Sequence, residues 1–338
     1  SGIYDFNFNT RGFNSSLNRR VATLIDGREP SVPFLGAQEW AAVSFPLDDL
    51  ASVELVRGPS AALYGANASS GVLNLITKAP RDSQGGQFRV TAGELSTANA
   101  DVRWAGALGG DWYAKVLGGY NSSGDFTRSR RTGVEYSRPC SATVTSDCLP
   151  LEVAPLRIEN DNQIVFGSAR LDKHFGDAAV WTLEGGQANL EGPVFQTGIG
   201  RVQLTDVERP WARTNFNTRN FNLLAYWNGR EGEQLALASA TDLFLDEENW
   251  NVEAQTNWDF WGGRARFIAG ASYGEEEIDT ANPAGFQTLT FGPIAEDFTA
   301  AYAQFDVNLT DNFKLGVAGR YDENSLYDSQ FSPKGSLA

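Results

Sequence analysis

FKLGVAGRYD, residues 313–322, alternates without a break. Phe313, Leu315, Val317, Gly319 and Tyr321 fall on one face of an extended strand, and Lys314, Gly316, Ala318, Arg320 and Asp322 on the other. WYAKVLGGY (112–120) and ARFIAGASY (265–273) repeat the pattern, and in all three a tyrosine closes the apolar face at the strand's end. An apolar face about ten residues long is what a tilted strand needs to cross a bilayer, and an aromatic at its end belongs at the membrane interface.

Working outward, residues 86–338 read as segments of this kind punctuated by Gly, Asn and Asp. Strands are expected near 86–96, 99–108, 112–120, 162–173, 178–190, 216–228, 233–246, 249–259, 264–274, 298–309, 313–322 and 331–338. Short turns are expected at 109–111, 175–177, 229–232, 262–263 and 310–312. Long loops are expected at 121–161, 191–215 and 275–297, with short connections at 97–98 and 247–248 departing from that rule. Short turns on one side and long loops on the other fit an outer-membrane barrel better than a soluble sandwich, which rarely keeps strands so long and regular.

Composition agrees without deciding. The 338 residues are 41% hydrophobic and 12% aromatic, with 9 Trp, 10 Tyr and 21 Phe, and mean hydropathy is −0.32. No stretch approaches the roughly 18 apolar residues of a spanning helix, whereas alternating strands hide from such averages. The net charge of −15 speaks against a nucleic-acid partner, which needs a basic surface. Cys140 and Cys148 lie in a polar loop and suit a small disulfide worth about 2–3 kcal/mol, two free thiols being the alternative. No Met is present, so the chain is expected not to begin at a start codon. His174, the sole histidine, has no neighbours in sequence to complete a metal site. No nucleophile motif or phosphate loop occurs, and neither an enzyme activity nor a cofactor is expected. The acidic run 275–277 reads as a solvated loop face, with Ca²⁺ ligation as the alternative.

Before residue 80 the text changes. Val21–Ile25 reads as a strand, Asp26-Gly27 as a turn, and 53–56 and 72–77 as further strands, with one helical turn at 47–50. Arg11-Gly12-Phe13, Leu24-Ile25-Asp26-Gly27-Arg28 and residues 47–80 (LDDLASVELVRGPSAALYGANASSGVLNLITKAP) resemble the plug domain of TonB-dependent outer-membrane receptors. Residues 53–78 carry most of the resemblance, departing only conservatively, at Leu73 and Leu75. The downstream strands agree with that family's barrel.

The resemblance implies an all-β transmembrane barrel of the 22-stranded type, about twelve strands of it present, with a small α+β plug domain in its lumen. Residues 1–80 would be the plug with its start missing, 81–85 a linker and 86–338 part of the barrel. Size supports the partial reading. Twelve strands ~4.8 Å apart would close at a radius of about 12 Å, too narrow once side chains fill the inner face. A plug of 80 residues has an envelope of about 15 Å.

The resemblance further implies that Arg11 and Arg57 latch the plug by pairing with barrel glutamates, expected on strands outside this chain. Arg28, Phe34, Gln38, Trp40 and Phe45 would touch the ligand from the plug apices. The implied activity is TonB-dependent import of a scarce ligand, a ferric siderophore foremost. Cobalamin or an oligosaccharide imported in the same way is the alternative, and a passive or structural barrel the rival class. The implied partners are the TonB complex, outer-membrane lipid and lipopolysaccharide, and a small-molecule ligand, a metal chelate among the candidates.

Overall fold

The computed structural model describes residues 4–6, 8, 20–57, 61–65, 68–125, 127, 152–159, 161–310 and 312–337. The chain before residue 80 forms a three-stranded sheet in the order β1–β3–β2. β1 (Val21–Ile25) runs parallel to β3 (Gly71–Thr77), and β2 (Leu50–Arg57) runs antiparallel to it. Asp26 and Gly27 leave β1 with φ of 51° and 89°, a left-handed turn suited to Asp-Gly. The Asp26 carboxylate accepts the Thr77 N–H (3.0 Å) and hydroxyl (2.7 Å), tying that turn to the end of β3. Gly71 opens β3 so close to β2 that a Cβ would lie 2.6 Å from the Val56 carbonyl oxygen. One helical turn, α1 (Ala61–Tyr64), links β2 to β3.

The second sheet is a continuous antiparallel wall. Its order is β4 (Gly85–Ala92), β5 (Ala98–Gly109), β6 (Trp112–Ser123), β7 (Asn162–Phe175), β8 (Ala179–Glu191), then β10 (Gly200–Thr218) and β11 (Phe221–Ala236). It continues through β13 (Asp246–Phe260), β14 (Ala265–Asp279), β15 (Ile294–Thr310), β16 (Phe313–Asn324) and β17 (Gln330–Leu337). Two short strands, β9 (Val194–Thr197) and β12 (Thr241–Phe244), extend β10 and β11 as rim hairpins.

The wall departs from expectation in two regions. Residues 191–215 are not a loop: β9 and most of β10 occupy them. The segment read as a strand over 216–228 straddles the β10–β11 turn, and 233–246 straddles the rim hairpin and the start of β13. No turn interrupts 229–232, because β11 runs through it. The long connection beyond β14 is shorter than expected, since β14 continues to Asp279 and β15 starts at Ile294. The misleading residue is Pro210 among charges. It sits in register opposite Gln187 of β8, while the ladder to β11 passes from Glu208↔Glu231 to Trp211↔Asn228. A proline without an N–H is tolerated where the ladder can spare one bond.

The two faces sort by polarity as a bilayer demands. Val116, Leu183, Leu223, Val252, Val317 and Tyr321 are exposed on the outer face. Lys115, Asp172, Arg209 and Arg230 are buried on the inner one. Aromatics gather near the short turns, as in Trp112–Trp181 (6.4 Å) and Phe175–Phe216 (6.3 Å), and again higher up, as in Trp250–Tyr273 (5.4 Å). The eight residue steps from Trp250 to Trp258 on one tilted strand span roughly 20 Å of height, close to the ~25 Å apolar band between aromatic girdles. No helix among the described residues is long and apolar enough to cross a membrane.

Candidate functional site

The loop after β1 lies against the inner face of the wall, and its own sequence explains its shape. Val32 and Ala37 form a one-bridge clasp, with Gly36 at φ 57° closing the turn between them. Two prolines keep the rest irregular, and single 3₁₀ turns follow at Trp40–Ala42 and Leu47–Asp49. Val32, Leu35, Ala37 and Ala41 share one apolar core with Ile164, Phe166, Leu190, Val202, Leu204 and Leu245 of the wall. Plug and wall are therefore packed together as one interior.

Ion pairs set inside that core fix the loop further. Glu39 bonds Arg209 of β10 at 2.8 Å and Arg230 of β11 at 3.0 Å, all three side chains being almost fully buried. Arg209 also donates to the Pro30 carbonyl (2.9 Å), and Arg230 to the Leu245 carbonyl (3.0 Å) and to Gln234 (2.8 Å). Burial alone would raise the Glu39 pKa, but Arg230 and Arg209 outweigh it and hold the carboxyl below its ordinary range. Glu39 is thus ionised at neutral pH and bridges two wall strands.

A second anchor sits at the base of β2. Asp49 accepts from Lys115 of β6 at 2.6 Å, with Arg103 of β5 at 3.8 Å. Lys115 also donates to the Lys78 carbonyl (2.7 Å), so one ammonium ties both ends of the β2–β3 hairpin to the wall. Asp48 pairs with Arg89 of β4 nearby.

The residues expected at the site divide by position. Arg28 is buried, donating to Asn228 of β11 at 2.6 Å and stacking 4.2 Å from the centre of the Trp211 ring. Phe34 and Gln38 line a cleft of about 400 Å³ that also includes Glu29, Ser31 and Pro33. Trp40 donates its indole N–H to the Phe6 carbonyl at 2.8 Å and meets the Phe6 ring edge-on. Phe45 packs against the shared core. Arg57, at the exposed end of β2, makes no ion pair among the described residues. Arg11, Cys140 and Cys148 lie outside the described residues.

In the ion pairs seen between plug and wall among the described residues, Asp48, Asp49 and Glu39 of the plug supply the carboxylates. Glu39 and Asp49 escaped sequence reasoning, as did Lys115, Arg209 and Arg230. The one available signal was an acid between Gln38 and Trp40 inside an otherwise apolar, turn-rich segment.

A membrane-spanning wall whose inner face carries a small second sheet, held there by buried ion pairs, is the architecture of part of a plugged barrel. Residues 2–72 match the TonB-dependent Receptor Plug Domain, and residues 57–338 match the TonB dependent receptor-like beta-barrel. The chain belongs to the TonB-dependent receptor family, whose members are outer-membrane receptors and transporters. It is 31% identical over 130 residues to the vitamin B12 transporter BtuB of Vibrio vulnificus, spanning 37% of this chain and 20% of that protein. Its fold matches the siderophore receptor PirA of Pseudomonas aeruginosa (TM-score 0.66, 16% identity) over 94% of this chain and 51% of that one. The PirA of Acinetobacter baumannii gives 0.64 at 15% identity, over 94% and 50%. The chain thus spans about half the length of these solved receptors.

Proposed function

We propose that this chain belongs to a receptor that imports a ferric siderophore across the outer membrane, energised by the TonB complex. The observation that carries this reading is the Glu39 hub. A domain seated on the lumen face and fixed there by buried but breakable contacts closes the passage at rest, and work done on the domain opens it. The cleft over Phe34 and Gln38 supplies a place on the plug for the ligand to bear on. A passive pore would gain nothing from a lumen-filling domain.

A second reading, cobalamin import by the same mechanism, is favoured by the 31% identity to a vitamin B12 transporter. Uptake of radio-iron siderophores and of labelled cobalamin by cells expressing the whole receptor, with and without TonB, separates the readings. TonB-dependent iron uptake is expected. TonB-dependent cobalamin uptake alone moves the assignment to the second reading, and uptake indifferent to TonB overturns active import.

A further inference from the structure

Arg230 has two carboxylates to choose from and uses only one. On the wall its direct cross-strand partner is Glu247 of β13, so the two Cβ atoms lie within about 5.5 Å on the same face. An arginine opposite a glutamate on neighbouring strands would ordinarily pair with it. Instead Arg230 gives its Nε to Glu39, one terminal nitrogen to Leu245 and the other to Gln234. Arg209 likewise gives its nitrogens to Glu39 and Pro30. Glu247 is only 2% exposed, and its Oε2 has no hydrogen-bond partner among the described residues.

A buried carboxylate oxygen without a donor is costly to keep. Here it stands beside two guanidiniums that the plug has claimed. Removing Glu39 would strand both of them in the core, a severe penalty for a buried charge, unless another carboxylate were already in place. Glu247 is in place, on the wall itself, and moves with the wall rather than with the plug.

We propose that Glu247 is the exchange partner of Glu39: when the plug apex withdraws, Arg230 swings from Glu39 to Glu247, so release trades one ion pair for another. No bond is made or broken covalently, and Arg230 keeps a carboxylate partner at both ends of the motion, while Arg209 gives up its own when Glu39 leaves. The device lowers the work needed to undock the plug, and it accounts for an acid that contributes no hydrogen bond through Oε2 while the plug is seated. It rests on the reading of the chain as part of a gated importer, and it predicts a sign opposite to that of an ordinary structural acid.

The test needs neither ligand nor TonB. In the whole receptor, nitroxide labels at Ser31 and at the wall rim report plug undocking during a urea titration, while the gel mobility of the folded barrel checks that each variant is assembled. Glu247→Gln removes from the docked state a carboxylate with one oxygen unpaired, while its amide oxygen can keep the bond accepted from the Phe34 N–H, and it removes the new pair from the undocked state. Both effects favour docking, so the docked-to-undocked ratio is expected to rise on the order of tenfold or more. Glu247→Asp, which keeps the charge, is expected to restore part of the easy release. Glu39→Gln should weaken docking much less in the parent than in the Glu247→Gln background.

Easier or unchanged undocking of Glu247→Gln overturns the proposal, as does strict additivity of the two Gln substitutions. If Glu247→Gln does not assemble, the Glu39→Gln comparison is made against Glu247→Asp, and additivity there overturns it equally. Active import can fail the uptake test while this exchange holds, and the reverse is also possible.

Discussion

Glu39 on the plug apex and Arg230 on the wall meet at 3.0 Å, each side chain only 1% exposed, across 191 positions of sequence. A charge pair so dry is held together strongly and separated only at a cost, because each partner left alone faces a low-dielectric surround. Removing one member of such a pair ordinarily costs about 3–5 kcal/mol. Glu39→Gln is expected to weaken plug docking by less, about 1–2 kcal/mol, because Glu247 stands opposite Arg230 to take its charge. Made in the Glu247→Gln background, the same substitution is expected to cost the full penalty of about 3–5 kcal/mol. Urea midpoints for plug undocking in the whole receptor measure both.

Acid should loosen the apex in a definite window. Burial would raise the folded Glu39 carboxyl, but Arg230 and Arg209 hold it below its ordinary value of 4.5. A group whose folded pKa is depressed adds stability above its unfolded pKa and loses it as pH falls through the folded one. Docking strength from Glu39 is therefore expected to be complete at neutral pH, to begin declining near pH 4.5, and to fall further below it. Undocking followed from pH 7 to pH 3 in the parent and in Glu39→Gln checks this. The decline due to Glu39 should be missing from the variant.

How much of this the sequence disclosed depends on the range of the interaction. Alternation at 313–322 was legible because side-chain period is local, and Val317 and Tyr321 do stand on the exposed face. The Asp26-Gly27 turn was legible for the same reason. β10 was not, because Pro210 and the charges of 206–213 mimic a loop when the neighbouring strands that accept them are invisible. Gly232 reads as turn punctuation, although it is a point of close approach inside β11. The hub was hidden more deeply. Nothing near Glu39 in sequence announces two arginines, and one of them, Arg209, lies on the strand whose sequence resembles a loop.

The Asp49 anchor makes a prediction of its own. Lys115 is 2% exposed and gives its ammonium to Asp49 and to the Lys78 carbonyl. Lys115→Met leaves Asp49 buried, with Arg103 at 3.8 Å as its remaining cation. The substitution is expected to destabilise the docked plug by about 3 kcal/mol. Asp49→Leu added to it should recover a substantial part, since a buried pair replaced by apolar groups is often neutral. A double-mutant cycle on plug undocking measures the coupling, and additive losses would count against a shared ion pair.

Two glycines separate crowding from backbone conformation. Gly232 lies within β11 at φ 151°, where a Cβ would come 2.1 Å from the Asp206 carbonyl oxygen and 2.7 Å from the Val207 Cα. Those are backbone atoms of the adjoining strand and cannot move without opening the β10–β11 ladder, so the clash cannot be relieved by a rotamer change. Gly262 lies in the β13–β14 turn at φ 67° with nothing within 4 Å of a Cβ. Gly262→Ala is expected to cost about 1–2 kcal/mol, the price of a left-handed residue with a Cβ. Gly262→Asn should cost less, because asparagine visits that region more readily. Gly232→Ala is expected to cost more than either, about 3 kcal/mol, and its Asn counterpart should be worse. Thermal unfolding of the whole barrel, read from gel mobility of heated samples, ranks the four variants. Equal losses at the two positions would mean that the wall gives way at Gly232, and that its glycine reflects strand conformation rather than strand approach.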